Sequence, residues 1–168
     1  MAAEHDLDID VAAFALGSPR LEDAVRIYAT VFHQEWEPSL HLFEEQGGRR
    51  DFHGRVAVVD GTVVGMGFGA RAEPGHWWYD GIADQVGADH PALQDAWNLV
   101  ELAVLAEFRR RGIGTRLLAS LLEAQPCQRA LLSVIVANTP ARAFYERCGF
   151  SVEGEASTRF GPALRMSR

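Results

Sequence analysis

The chain has 168 residues, 48% of them apolar, enough for one domain with a full hydrophobic core that needs no staple. Its net charge of −7 makes any basic cluster a local feature and argues against a nucleic-acid surface, and two cysteines (Cys127, Cys148) without a CxxC pair or a histidine cluster at zinc spacing exclude a disulfide scaffold and give no metal site. An acidic start, MAAEHDLDID, and the lack of any run of membrane-spanning length point to a soluble cytoplasmic protein.

Residues 9–16 alternate in part between apolar and polar and read as a first strand, closed by Gly17, Ser18 and Pro19. Ser18 or Pro19 opens a helix in which Leu21, Ala24, Val25, Tyr28, Val31 and Phe32 recur at helical spacing. A shorter helix is expected over residues 39–46, bracketed by Pro38 and by Gly47-Gly48. Residues 55–59 and 62–71 then read as two strands joined by Asp60-Gly61, a strong signal for a two-residue hairpin. Gly65, Gly67 and Gly69 alternate along the second strand, so all three share one face, where a neighbouring element can pack closely.

Residues 73–84, EPGHWWYDGIAD, carry three aromatic residues in succession. If this segment is extended, Trp77, Trp78 and Tyr79 cannot all face one core, because neighbours point opposite ways. The expectation is a hairpin whose aromatic residues cover the sheet, with at least one left to face a cleft or a subunit interface, flanked by His76 and Asp80. Residues 87–97 read as a loop with a short helical turn near His90-Pro91.

The chain is organised around residues 99–122, LVELAVLAEFRRRGIGTRLLASLL. The apolar run 99–105, broken once by Glu101, suits a strand buried on both faces. Ile113, Leu117, Leu118, Leu121 and Leu122 then mark one face of a helix. Between them stand Arg109, Arg110 and Arg111, at a helix amino end where the macrodipole and unpaired N–H groups disfavour cations. A bound anion resolves that conflict. Gly112 and Gly114 leave the backbone N–H donors open to it and the arginines can pair with it; a pyrophosphate fits.

Pro126 ends this helix, and residues 129–137 form the next buried strand. Asn138 or Thr139 caps a further helix, with Pro140 in its first turn and Ala141, Phe144, Tyr145 and Cys148 at helical spacing. It closes at Cys148-Gly149. Residues 150–153 and 158–166 are expected to pair around a turn at 154–157, although Pro162 weakens the second strand.

The spacing Arg109-x-x-Gly112-x-Gly114 between strand and helix resembles the acyl-CoA pyrophosphate loop of the GCN5-related N-acetyltransferase (GNAT) superfamily. Downstream, NTPARAFYERCGF is similar to its second signature, an Asn followed by a helix that carries Tyr and ends at Gly-Phe. The resemblance implies a single α/β domain over residues 1–168, a mixed central sheet flanked by helices and splayed between its fourth and fifth strands, and acetyl-CoA as acyl donor in that gap. It implies that Leu102, Ala103 and Val104 border the pantetheine arm, that Arg109, Arg110, Arg111, Gly112, Ile113, Gly114 and Thr115 wrap the pyrophosphate, and that Asn138 touches the cofactor.

It further implies Tyr145 as general acid toward the departing sulfur and direct transfer to a primary amine in a ternary complex. The position at which histone-modifying members carry a catalytic Glu falls on Asn98, so Glu101 becomes the candidate base or substrate anchor, against a structural ion pair. Trp36, with the first two helices, and the 77–79 aromatics are the expected acceptor contacts. The amine, a small metabolite, an antibiotic, a polyamine or a protein amino terminus, is left open, as is a homodimer. Ser133, beside the expected thioester, reads as a small core residue.

Gly112-Ile113-Gly114-Thr115-Arg116-Leu117 lacks the third glycine of a dinucleotide fingerprint, and no Gly-Lys-Ser/Thr follows for a Walker A loop. The rival from another class is a non-catalytic acyl-CoA-binding regulatory module of the same fold.

Overall fold

The Asp60-Gly61 pair makes the turn its sequence predicts: both residues have positive φ, 49° and 77°, and Val59 pairs directly with Thr62. The structure is a computed structural model that describes residues 7–158 and 160–168. The first six residues, on which the reading of the amino terminus rests, and Arg159, expected within the last strand, lie outside the described residues. Seven strands form one mixed sheet in the order β1-β2-β3-β4-β5-β7-β6. The chain resolves into two compact units, each assembled from two segments: residues up to Gly69 with Val100–Gln125, and Ala70–Leu99 with Pro126–Arg168. Among the described residues, no helix is long and apolar enough to cross a membrane.

The first unit holds β1 (Ile9–Phe14), α1 (Arg20–Phe32), α2 (Trp36–Gly47), β2 (His53–Val59), most of β3 (Thr62–Arg71), the outgoing part of β4 (Ala96–Val104) and α4 (Ile113–Ala124). α2 begins earlier than expected. Pro38 does not bracket it but stands in its first turn, where the missing N–H would have had no intrahelical partner. On one side of the sheet Phe14, Phe43 and Phe68 form a buried cluster with Val25 and Ile27 of α1; ring centroids of Phe43 and Phe68 are 4.7 Å apart. On the other side α4 buries Ile113, Leu117, Leu118 and Leu121, the face its spacing predicts.

The glycines of β3 explain how close α4 sits. A Cβ at Gly67 would come within 2.8 Å of Leu102 Cδ1 and 3.0 Å of Leu121 Cδ1, and one at Gly65 within 3.1 Å of both the Ala103 carbonyl and Leu117 Cδ1. Both positions therefore serve close packing, as their alternation implies.

The second unit holds α3 (Trp77–Val86), a 3-10 turn at Pro91–Leu93, the start of β4, β5 (Arg129–Ile135), α5 (Thr139–Arg147), β6 (Ser151–Thr158) and β7 (Gly161–Ser167). β4 starts three residues before the apolar run and takes in Trp97, which is fully buried. Its parallel register with β5 covers Ala96 to Asn98 against Arg129 to Leu131 and ends there, in keeping with the expected splay of the fourth and fifth strands.

Two expectations are corrected here. Residues 77–86 are a helix, not an extended hairpin: Trp78, Tyr79 and Ile82 fall on one helical face and are buried, while Trp77 is 45% exposed. The closing turn also lies later than 154–157. β6 runs through Gly154, where an irregularity between Val152 and Gly154 absorbs an extra residue, and Ser157 and Thr158 pair with Pro162 and Gly161. Gly161 (φ 112°), not Gly154, is the turn glycine, and the Thr158 hydroxyl donates to its carbonyl at 2.9 Å. Pro162 is tolerated at the second position of β7, where its carbonyl still accepts from Val136 N.

Candidate active site

In the first unit, β4 ends at Val104 and the chain passes through a 3-10 turn, Ala106–Phe108, before α4. Arg109 Nε donates to the Val104 carbonyl at 3.0 Å, and the Arg111 guanidinium lies 5.8 Å from the centre of the Phe108 ring, so two of the three arginines brace this turn. Arg110 and Gly112 both adopt left-handed backbone conformations, with φ of 64° and 78°. Turns of this kind gather successive backbone N–H groups into a concavity that suits an anion.

Gly112 caps α4 without a side-chain bond, and the first helical bond runs from Arg116 N back to Gly112 O. The N–H groups of Ile113, Gly114 and Thr115 therefore precede the helical ladder. A Cβ at Gly112 would meet no atom within 4 Å, and Arg109, Arg110 and Arg111 are exposed. Open donors, a positive helix end and exposed guanidinium groups fit a pyrophosphate. Arg116 belongs elsewhere: its Nη1 donates to Ile9 O.

Next to this turn a cavity of about 400 Å³ is lined by Thr30, Val31 and His33 at the end of α1 and by Leu105, Glu107 and Arg109. Along the outgoing part of β4, Ala103 is buried while Glu101, Leu102 and Val104 are half-buried. Trp36 opens α2 and is 38% exposed. The first unit thus brings together all seven expected pyrophosphate residues, and it carries the expected pantetheine residues directly ahead of them in one strand.

The second unit holds the other candidates. The Asn138 carboxamide oxygen accepts from Ala141 N at 3.3 Å and caps α5, with Pro140 in the first turn as predicted. Tyr145 is half-buried between Phe144 and Phe150, with centroid separations of 5.1 and 5.8 Å and edge-on ring geometry. Trp78 and Tyr79, expected as acceptor contacts, are core residues of this unit, and Trp78 Nε1 donates to Ser133 Oγ at 2.9 Å. Ser133 is thus more than a small core residue; it satisfies a buried indole.

Sequence reasoning missed one group and undervalued another. Arg165, on β7, is 3% exposed, and its Nε and Nη1 have no hydrogen-bond partner. Asn98 is likewise 3% exposed with Oδ1 unpartnered. The only signal for Arg165 is an arginine between Leu164 and Met166 in a strand whose other same-face residues are small or apolar.

The sequence profile described as the acetyltransferase (GNAT) family matches residues 19–150, most of the chain. The chain belongs to that family. Among relatives of the GNAT chain, an N-alpha-acetyltransferase of Saccharolobus solfataricus is 35% identical over 99 residues, 56% of this chain and 54% of the relative. A second, from Sulfurisphaera tokodaii, matches to the same extent. The match thus spans about half the length of these relatives. Among solved structures, the fold is similar to that of Ard1 from Thermoplasma volcanium, with a TM-score of 0.65, 24% identity, and 95% of this chain and 96% of that one covered.

Proposed function

We infer that this GNAT chain moves an acetyl group from acetyl-CoA to a primary amine by direct transfer, and that the amine is the α-amino group of a polypeptide. The turn at residues 109–115 carries the first half of this reading, since its open N–H groups and exposed arginines fit a pyrophosphate and little else in an acidic protein. The second half rests on the 35% identity to archaeal N-alpha-acetyltransferases.

Acetyl-CoA, when bound, supplies a thioester whose acyl carbon is open to attack by a neutral amine. The chain's own groups then divide the work. The 109–115 turn holds the pyrophosphate, and the backbone of Leu102 to Val104 orients the pantetheine arm. Glu101, half-buried in β4, takes a proton from the incoming ammonium group directly or through water. Tyr145 donates its phenolic proton to the departing sulfur; Phe144 and Phe150 fix its ring, and the Asn138 cap fixes the start of its helix. Trp36 and Trp77, both exposed, are the aromatic residues left to meet an acceptor.

A second reading rests on Asn98, which is buried with its side-chain oxygen unpartnered. The resemblance places Asn98 at the position where histone-modifying members of the superfamily carry a catalytic Glu, and an amide cannot take up a proton at neutral pH. If Glu101 does not act as base, the protein is a binding module of the same fold. Calorimetric titration with acetyl-CoA, free CoA and NADH, followed by an acetylation assay over peptides and small amines, separates the two. Saturable binding of both CoA species, weakened in Arg110→Ala, with transfer to peptide amino termini supports the enzyme. Binding without transfer to any amine supports the module, and no CoA binding overturns both.

A further inference from the structure

The cavity of about 400 Å³ between the end of α1 and residues 105–109 lies wholly within the first unit, and its polar side has no part in the chemistry above. Val31, Leu105 and Ala106 line it with apolar surface, and Thr30, His33 and Glu107 supply polar groups. These three polar residues are exposed, and no hydrogen bond or ion pair occupies their side chains among the described residues.

Two observations put this cavity with the acceptor and not with the donor. Ala103 and Leu105 pack against the cluster that α1 and α2 build on one side of the sheet, whereas Leu102 and Val104 pack on the cluster that holds Ile113 and Leu117 of α4. Strand alternation places Glu101 on the face of Ala103, so the candidate base and Leu105 of the cavity follow one face of the chain, about 13 Å apart at about 3.3 Å per residue. The second observation is charge. The anion-binding turn begins two residues after Glu107, and a phosphate placed in the cavity would face that carboxylate. A cation there is attracted instead.

We propose that the cavity holds a second cation of the acceptor, the side chain of an arginine or lysine a few residues from the amino terminus that is acetylated. Glu107 pairs with the cation, and a guanidinium group finds further acceptors in the Thr30 hydroxyl and the His33 imidazole. Its methylene stem lies against Val31 and Leu105. An extended chain covers about 13 Å in four residues, which puts the cation within the first few residues after the reacting amine. The proposal rests on the acetyl-transfer reading and adds a preference among acceptors to it.

The test uses short peptides with a free amino terminus and one variable residue, arginine, glutamine or glutamate, placed in turn at positions two to five. Arginine carries the cation without offering a second acceptor amine. At low ionic strength the arginine peptide should exceed its glutamine twin in kcat/KM by about two- to fivefold at its best position, the range of an exposed ion pair, and the advantage should shrink in about 0.5 M salt. Glu107→Gln should bring that ratio to about one, and Glu107→Arg should reverse the order in favour of glutamate; both change an exposed side chain and leave the core intact. Equal rates for the three peptides at every position, or an arginine preference that persists in Glu107→Gln, would overturn the site and leave the proposed activity standing. A fall in acetyl-CoA affinity in Glu107→Gln would assign the cavity to the donor and overturn it as well. Absence of transfer to any peptide would remove the activity and this site together.

Discussion

Two glycines with nearly the same backbone offer a controlled test of the anion-binding turn. Gly112 has φ of 78° and Gly61 has φ of 77°, and a Cβ at either meets nothing within 4 Å. Alanine at each position therefore carries only the cost of the left-handed conformation, about 1–2 kcal/mol, with no clash added. Urea denaturation should give similar losses for Gly112→Ala and Gly61→Ala. Binding should separate them. At Gly112 the left-handed conformation sets the start of α4, so a turn that relaxes to relieve the alanine disperses the N–H groups of residues 113–115. Loss of one charge-assisted hydrogen bond is worth about 1.5–3 kcal/mol, so acetyl-CoA affinity should fall by about tenfold or more. Gly61→Ala, at a hairpin tip, should titrate like the parent. Equal affinity in parent and Gly112→Ala, with the expected loss of stability, would refute the assignment of this turn to the pyrophosphate.

Three further outcomes are expected. Tyr145→Phe keeps the ring contacts with Phe144 and Phe150 but removes the proton donor, so turnover should drop by about 10²–10⁴-fold with little change in acetyl-CoA affinity, measured by steady-state kinetics beside calorimetry. Ser133→Ala leaves the buried Trp78 indole N–H without its acceptor and should cost about 1–3 kcal/mol in urea denaturation. His53 has its pKa lowered from 6.5 by burial and then by the Arg55 charge, against an opposing pull from Asp51. The unfolded chain then takes up this proton before the folded one does, so the contribution of His53 is fully present above about pH 6.5 and is lost as pH falls through its lower folded value. Denaturation at about pH 8 and about pH 5 should show a loss at acid pH that shrinks in His53→Gln.

The fold was legible wherever a local rule and the tertiary context agree. Asp60-Gly61 needs only its own backbone to make a hairpin, and Asn138 with Pro140 needs only the unpaired N–H groups of a helix start. The α4 face could be read because Ile113, Leu117, Leu118 and Leu121 repeat at the helical period with no competing signal. Trp77-Trp78-Tyr79 misled because three bulky residues in a row carry no period of their own. The decision was made by Ile82, one helical turn beyond Trp78, and by a serine 55 residues away that accepts the indole N–H. Gly154 misled for the opposite reason. It has the composition of a turn but is kept small by the Arg165 side chain across the strand pair, a partner that local reading cannot supply.

The same distinction separates what can be read of the site. The 109–115 turn is a continuous stretch whose chemistry is written in backbone donors and three neighbouring arginines, so the role proposed for it can be argued from spacing. Arg165 is different, since nothing in GPALRMS marks it as more than one polar position in an alternating strand. Its place is set by burial in the sheet, with Gly154 as its register partner on the outer strand and Ser133 on β5. If Arg165 were only a burden on the core, an uncharged residue of similar length would stabilise the unit. A gain in stability for Arg165→Met in urea denaturation is therefore the expected result, and a loss of stability would show that the guanidinium is satisfied within the folded unit.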